Sequence, residues 1–283
     1  MNTDIFFTIG STHKICQDYA LCANGEAPYA IISDGCSAAP DADFGSRLLA
    51  KSAALDVYRY NRYCFDDAEL MLRGISMTAD AYRRTLSLHE DSLCATLMIA
   101  KVEDKTFRVI MVGDGVIAAK HKDGRIHVQE FIFEQGAPYY LRYELDQEVK
   151  LGYFEKFGVE KKVACSNLSY WVNPNGKIVL ENKLNFDFTK DRIHFDVEYP
   201  LEDFEAIAIM SDGASSFLQQ SVTNTSKQSL SVPISELIGE LFAFKGYAGT
   251  FVQRRCQKAF KKFRDQGLNN YDDFSIGVIA SQS

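Results

Sequence analysis

No run of apolar residues in the 283-residue chain approaches the ~18 needed to span a bilayer, so no membrane helix is expected. The first residues, Met1-Asn2-Thr3-Asp4-Ile5-Phe6-Phe7, lack the basic segment and apolar core of a signal peptide. There is no CxxC pair, and the cysteine count is odd, at seven. Both features argue against a disulfide framework or a zinc site and fit reduced thiols in the cytoplasm. Basic residues are in deficit: 31 Lys and Arg stand against 38 Asp and Glu, giving a net charge of −7. Such a chain has no general affinity for nucleic acid, whose phosphates need a basic face. No GxxxxGK[ST] loop and no GxSxG elbow occur, which removes the P-loop and the serine-hydrolase readings. Long repeats, low-complexity tracts and a Pro/Ser-rich linker are also missing, so one domain over residues 1–283 is expected.

What is present is a strand-like run that stops at an acid, twice. Ala30-Ile31-Ile32-Ser33-Asp34-Gly35 ends a short β-branched stretch, and small residues and then a helical pattern follow. Ala206-Ile207-Ala208-Ile209-Met210-Ser211-Asp212-Gly213 repeats the arrangement far downstream. A single Asp-Gly after a strand is usually a turn, because Asp bonds its own backbone and Gly takes φ > 0. Two copies with the same preceding Ser suggest paired carboxylates, which repel unless a cation lies between them.

The rest of the chain reads as strands at 5–9, 93–100, 107–112, 116–121, 126–133 and 274–280, with further strands at 19–22 and 29–33 joined by the Asn24-Gly25 turn. That hairpin brings Asp18 and Asp34 to one sheet edge. Helices are expected from Phe44 to about Tyr60, with Phe44, Leu48, Leu55 and Tyr58 inward, and from Asp67 to His89, with Leu70, Met77 and Ala81 inward. Residues 134–200 lack helical periodicity and read as a β-rich or loop elaboration, with Tyr139 to Tyr143 in a strand and a hairpin at Asn175-Gly176. Residues 219–234 read as a loop, Ser235 as a helix N-cap, and 250–266 as a helix whose basic residues form a solvated face.

Acids therefore recur at strand ends: Asp18, Asp34, Asp114 within Val112-Gly113-Asp114-Gly115, Asp212, and Asp272 or Asp273. Oxygen donors without a His or Cys set suit Mg²⁺ or Mn²⁺ rather than Zn²⁺. Two such ions sharing a carboxylate and a water ~3.5–4 Å apart form a hydrolytic device suited to phosphate esters. Cys36 next to these acids is disfavoured as a thiolate nucleophile.

The motifs Gly10-Ser11-Thr12-His13 to Cys16-Gln17-Asp18, Ser33-Asp34-Gly35 running on to Ala39-Pro40 and Leu48, Val112-Gly113-Asp114-Gly115, Ser211-Asp212-Gly213 and Asp272-Asp273-Phe274-Ser275 resemble those of the metal-dependent, type 2C protein phosphatases, above all the bacterial branch. The Leu93–Met98 strand and the Gln135-Gly136-Ala137-Pro138-Tyr139-Tyr140-Leu141 segment are also similar. The resemblance implies an α+β fold, a four-layer α-β-β-α sandwich of two antiparallel sheets flanked by helix pairs. It implies two Mn²⁺ or Mg²⁺ ions, with Asp34 bridging both, the Gly35 carbonyl on one, Asp212 and Asp272 on the other, and Asp18 ordering metal-bound water. Asp114 would serve an outer shell or a weak third ion. The substrate implied is a phosphoserine or phosphothreonine protein, opposing a Ser/Thr kinase.

The sequence departs from the family pattern where Gln17 replaces a Glu. His13, followed by Lys14, stands where a phosphate-binding Arg is common, and Cys36 stands where many members have a proton-donating His. The loop before Asp18 also looks about three residues short against the bacterial branch, an alignment estimate. An active phosphatase and an inactive binding module on the same fold both remain open, as does a small-molecule phosphatase.

Overall fold

The computed structural model describes residues 1–63, 67–158, 162–189, 192–223 and 226–281. Its elements are β1 (Asn2–Thr8), β2 (Asp18–Ala23), β3 (Tyr29–Asp34), α1 (Ala42–Tyr63), α2 (Ala68–Thr85), β4 (Leu97–Glu103), β5 (Thr106–Val112), β6 (Gly115–His121), β7 (Ile126–Phe133), α3 (Gln147–Phe157), β8 (Val163–Val172), β9 (Ile178–Phe188), β10 (Phe195–Pro200), β11 (Phe204–Met210), β12 (Phe217–Thr223), β13 (Ser226–Ser231), α4 (Ile234–Leu241), α5 (Phe251–Asp265), β14 (Leu268–Asn270) and β15 (Phe274–Ala280). A seven-stranded antiparallel sheet runs β1-β15-β11-β6-β7-β8-β9, and a five-stranded one runs β10-β5-β4-β3-β2. β13-β12-β14 form a small third sheet. No described helix is long and apolar enough to cross a membrane.

Alternation along β11 explains the layering. Ile207 and Ile209 point into one core with Ala30, Ala100 and Val109 of the five-stranded sheet. Ala206, Ala208 and Met210 point the other way, onto Leu237, Ile238, Val252 and Phe260 of α4 and α5. Because both faces of this strand are covered, it reads as a continuous apolar run. α1 and α2 cover the outer face of the five-stranded sheet through Leu49, Val57, Met71 and Ile75. The α-β-β-α sandwich anticipated from the sequence is thus present.

Several local expectations are corrected. α1 and α2 lie where expected, and Leu48 packs half-buried against the core, but the other residues expected inward are turned out. Phe44, Leu55, Tyr58, Leu70 and Met77 are between 41% and 64% exposed, whereas Leu49, Ala50, Ala53, Val57, Met71, Leu72, Ile75 and Ala79 are buried. Ala81 is exposed as well. Alanine and glycine let α1 approach its neighbours closely: a Cβ on Gly45 would collide with the Ser92 carbonyl. Leu93 ends a short 3₁₀ turn rather than starting a strand. Tyr139–Tyr143 is not a strand but leads into a 3₁₀ turn at Leu141–Leu145, and then into α3, which the sequence did not announce. This segment is held by aromatic packing of Tyr139 against Tyr143, Tyr153 and Phe154, not by an amphipathic stripe. Within the stretch expected to be a loop, β12 (Phe217–Thr223) and β13 (Ser226–Ser231) pair antiparallel, and residues 224–225 lie outside the described residues. Pro233, not Ser235, occupies the N-cap of α4.

Candidate active site

The acid-bearing turns meet on one rim of the sandwich. β2 and β3 pair with Asp18 directly opposite Asp34, as the Asn24-Gly25 hairpin predicted. Asp114 sits in the β5–β6 turn that crosses from one sheet to the other, flanked by Gly113 at φ 100° and Gly115 at φ 145°. Asp212 begins the 3₁₀ turn after β11. Asp272 lies between β14 and β15.

The two Ser-Asp-Gly copies are built differently from plain turns. Neither Gly35 nor Gly213 adopts a left-handed backbone. Each is needed for close packing instead. A Cβ on Gly35 would stand 2.6 Å from the Ala42 carbonyl oxygen, and one on Gly213 would collide with the Asp273 carbonyl. The serines also serve, a role the sequence did not disclose. Ser33 Oγ donates to the Thr96 carbonyl at 2.7 Å, while Thr96 Oγ1 accepts from the Asp34 amide at 3.2 Å. Ser211 Oγ donates to Asp18 Oδ2 at 2.7 Å and accepts from the Ser275 amide at 3.0 Å. One hydroxyl thereby ties β2, β11 and β15 to the first acid.

Asp272 and Asp273 separate cleanly. Asp273 is buried and spent: it accepts from the Gly10 amide at 2.7 Å and the Gln17 amide at 2.5 Å, and lies 3.0 Å from His13 Nδ1. It folds the 10–17 loop onto the rim. Asp272 keeps a side chain 44% exposed, accepts from the Asp273 amide at 2.8 Å and stands 3.5 Å from His13 Nε2. His13 is thus turned toward carboxylates. Burial opposes its charged form, but the hydrogen bond and charge of Asp273 prevail and raise its pKa. Lys14 is exposed on the same loop.

Electrostatics mark the rim as a place where carboxylates crowd. Burial, then the charges of Asp18 and Asp212, push Asp34 well above the carboxylate range. Burial likewise raises Asp18, although the Ser211 hydrogen bond works the other way. Asp114 is pushed up to about 7 by burial and by Asp212. Asp272 is raised by burial and by Asp212. No Lys or Arg forms an ion pair with any of these five among the described residues.

A cavity of about 320 Å³ opens here, lined by Asp114, Glu130, Asp212, Ser215, Ser216 and Asp272 among others. Glu130 was not anticipated from the sequence. It accepts from Tyr170 at 2.8 Å and from Ser215 at 3.1 Å. Tyr140 also arrives unannounced: burial, Cys36 and the charge of Asp114 all hold its hydroxyl protonated.

The donor set fits a hard cation chemically. It is all oxygen, it has no Lys or Arg partner among the described residues, and Asp18 Oδ1 is buried with no hydrogen bond. As the side chains stand, no group of three or more His, Cys, Asp or Glu among the described residues is spaced to hold an ion.

Residues 11–143 match the protein phosphatase 2C family profile. No curated protein matches the chain in sequence. Among solved structures, a bacterial serine phosphatase bearing an R161K mutation is similar at TM-score 0.55 and 11% identity, covering 100% of this chain and 99% of that one. The serine/threonine phosphatase Stp1 from Staphylococcus aureus gives 0.51 at 11% identity, with 100% and 96% covered. The S. agalactiae serine/threonine phosphatase gives 0.50 at 13% identity, with 99% of each chain covered. The resemblance read from the motifs therefore holds: residues 11–143 carry the protein phosphatase 2C signature, and the whole chain has the fold of bacterial serine/threonine phosphatases.

Proposed function

We propose that this chain is a Mn²⁺- or Mg²⁺-dependent phosphatase acting on phosphoserine and phosphothreonine in proteins, reversing a Ser/Thr kinase in the cytoplasm. The reading treats residues 1–283 as one type 2C-like domain with an elaboration at about 134–200. The observation that carries it is the convergence of Asp18, Asp34, Asp114, Asp212 and Asp272 on one rim with no Lys or Arg ion pair among the described residues.

In this reading Asp34, Asp212, Asp272 and the Gly35 carbonyl would hold two ions, Asp18 would order water beside them, and Asp114 would support the set or a weak third ion. Bound divalent cations would supply an activated water for in-line attack and bind the charge of the phosphate. Ser211 fixes the Asp18 carboxylate. His13 faces Asp272 and Asp273, so Lys14 is the loop cation left free to meet the substrate phosphate. Tyr140, held protonated, offers a neutral donor near Asp114.

One observation favours the second reading, an inactive module that binds without hydrolysing. As the side chains stand, no group of three or more His, Cys, Asp or Glu among the described residues is arranged to hold an ion, and Gln17 is neutral where a carboxylate would help. Hydrolysis of a phosphothreonine peptide with Mn²⁺ decides between them. The phosphatase reading expects turnover that chelator abolishes and that Asp34→Ala lowers by more than the ~10–100-fold typical of losing an outer-shell partner. Turnover indifferent to both, or no Mn²⁺ binding at millimolar metal, rejects it.

A further inference from the structure

β9 is the outer strand of the seven-stranded sheet, and among the described residues no strand pairs with its far side. Every residue from Ile178 to Asn185 is exposed. Ile178, Val179, Leu180 and Leu184 are exposed by 44%, 42%, 78% and 46%. An edge of this length offers a row of unpaired N–H and C=O groups, and folded proteins usually blunt such edges. Here the edge carries the charges of Glu181 and Lys183 and a bulge. Tyr170 pairs with Glu181 while Trp171 pairs with Val179, leaving Leu180 extra at φ 59° and its side chain thrown outward.

Around Asn182 the strand is its own complement. Glu181 and Lys183 flank it, and Leu180 and Leu184 flank those. An antiparallel second copy with Asn182 opposite Asn182 sets Glu181 against Lys183 of the partner subunit, next to the bulge at Leu180. Two-fold symmetry makes each contact twice. Moving the axis to residue 181 or 183 sets Glu against Glu or Lys against Lys, so charge selects one register.

We propose that β9 is a homodimerisation edge on which a second copy of this chain adds its own β9 in that register. The charge pairs fix the alignment. Because the bulge keeps the regular ladder short, the dimer forms reversibly with concentration rather than being obligate. β9 lies three strands beyond β6 in the sheet order, so pairing leaves the carboxylate rim open.

Sedimentation velocity on the full chain, from micromolar to sub-millimolar protein, tests this. The expected result is a monomer–dimer equilibrium. Glu181→Lys and Lys183→Glu should each weaken it by about tenfold or more, and the double exchange should restore it. Mixing the two single variants should give a heterodimer, since each strand then carries one sign. Circular dichroism of every variant should match the wild type. A monomer at all concentrations, a dimer indifferent to the single changes, or a failure of both the double exchange and the mixture to recover association overturns the proposal. So does an edge that takes an unrelated strand peptide while the chain itself stays monomeric.

Discussion

Ser211 is the residue on which the rim closes, because its hydroxyl serves Asp18 and the Ser275 amide at once. Removing it leaves a buried amide unpaired and frees Asp18 to turn. Ser211→Ala should cost about 1–3 kcal/mol in urea unfolding. It should also weaken Mn²⁺ binding by calorimetry about 10–100-fold, as outer-shell losses do. The neighbouring acids should part company in the same assays. Asp273 bonds two backbone amides of the 10–17 loop, and bonds to a charged acceptor are worth about 1.5–3 kcal/mol each. Asp273→Asn should therefore destabilise the apoprotein by about 2 kcal/mol. Asp272 accepts only the amide of its neighbour Asp273, which an Asn oxygen still accepts, and is repelled by Asp212. Asp272→Asn should leave stability unchanged within about 0.5 kcal/mol, or raise it, while lowering Mn²⁺ affinity. Equal losses of stability in the two variants would refute this division of labour.

At the scale of elements, strands were far more legible than helix faces. β4 to β7 and β15 announce themselves because strands buried on both sides are short apolar runs that end at turn residues. Asn24-Gly25 even set the register that pairs Asp18 with Asp34. α1 misled because its packing face is built of small residues. Ala50, Ala53 and Gly45 sit against the sheet and the 90–93 turn, while the bulkier Phe44, Leu55 and Tyr58 face outward. Counting bulky residues therefore selects the wrong stripe. α3 was invisible for a related reason: ring-on-ring contacts around Tyr139 and Tyr153 fix it, and those partners are distant in the pattern. The acids of the rim were legible as strand-end punctuation, but Ser211, Ser275 and Glu130 were not, since hydrogen bonding across β2, β11 and β15 leaves no local signature. The α1 correction can be checked directly. Leu49→Ala should cost about 2–5 kcal/mol and Leu55→Ala less than about 0.5 kcal/mol. Gly45→Ala should cost more than about 3 kcal/mol, because the Ser92 backbone must move. The opposite order for the two leucines would restore the sequence-derived face.

The whole molecule places crowded carboxylates where two sheets, two cores and five chain segments meet. Away from the rim, partly buried charges find partners, as where Arg108 is matched by Glu103 at 2.8 Å and Asp196 at 2.6 Å, and Arg255 by Glu240. On the rim they do not, so folding the apoprotein works against desolvation and mutual repulsion of the acids there. A cation that binds only the folded arrangement removes that penalty and adds its own binding free energy. At a concentration a hundredfold above its dissociation constant, the gain is about 2.7 kcal/mol. For a chain of this size each kcal/mol moves the melting temperature by roughly 2 °C, so saturating Mn²⁺ should raise it by about 5 °C. Because β3, β6, β11 and β15 all end at the site, the shift should appear in one cooperative transition, seen alike by far-ultraviolet circular dichroism and scanning calorimetry. Asp34→Asn should melt at or above the wild-type temperature without metal, having lost one repelling charge, and should gain little when Mn²⁺ is added. A wild-type melting temperature that ignores Mn²⁺, or an Asp34→Asn variant that responds as the wild type does, would mean that the acids of this rim do not act together on a cation.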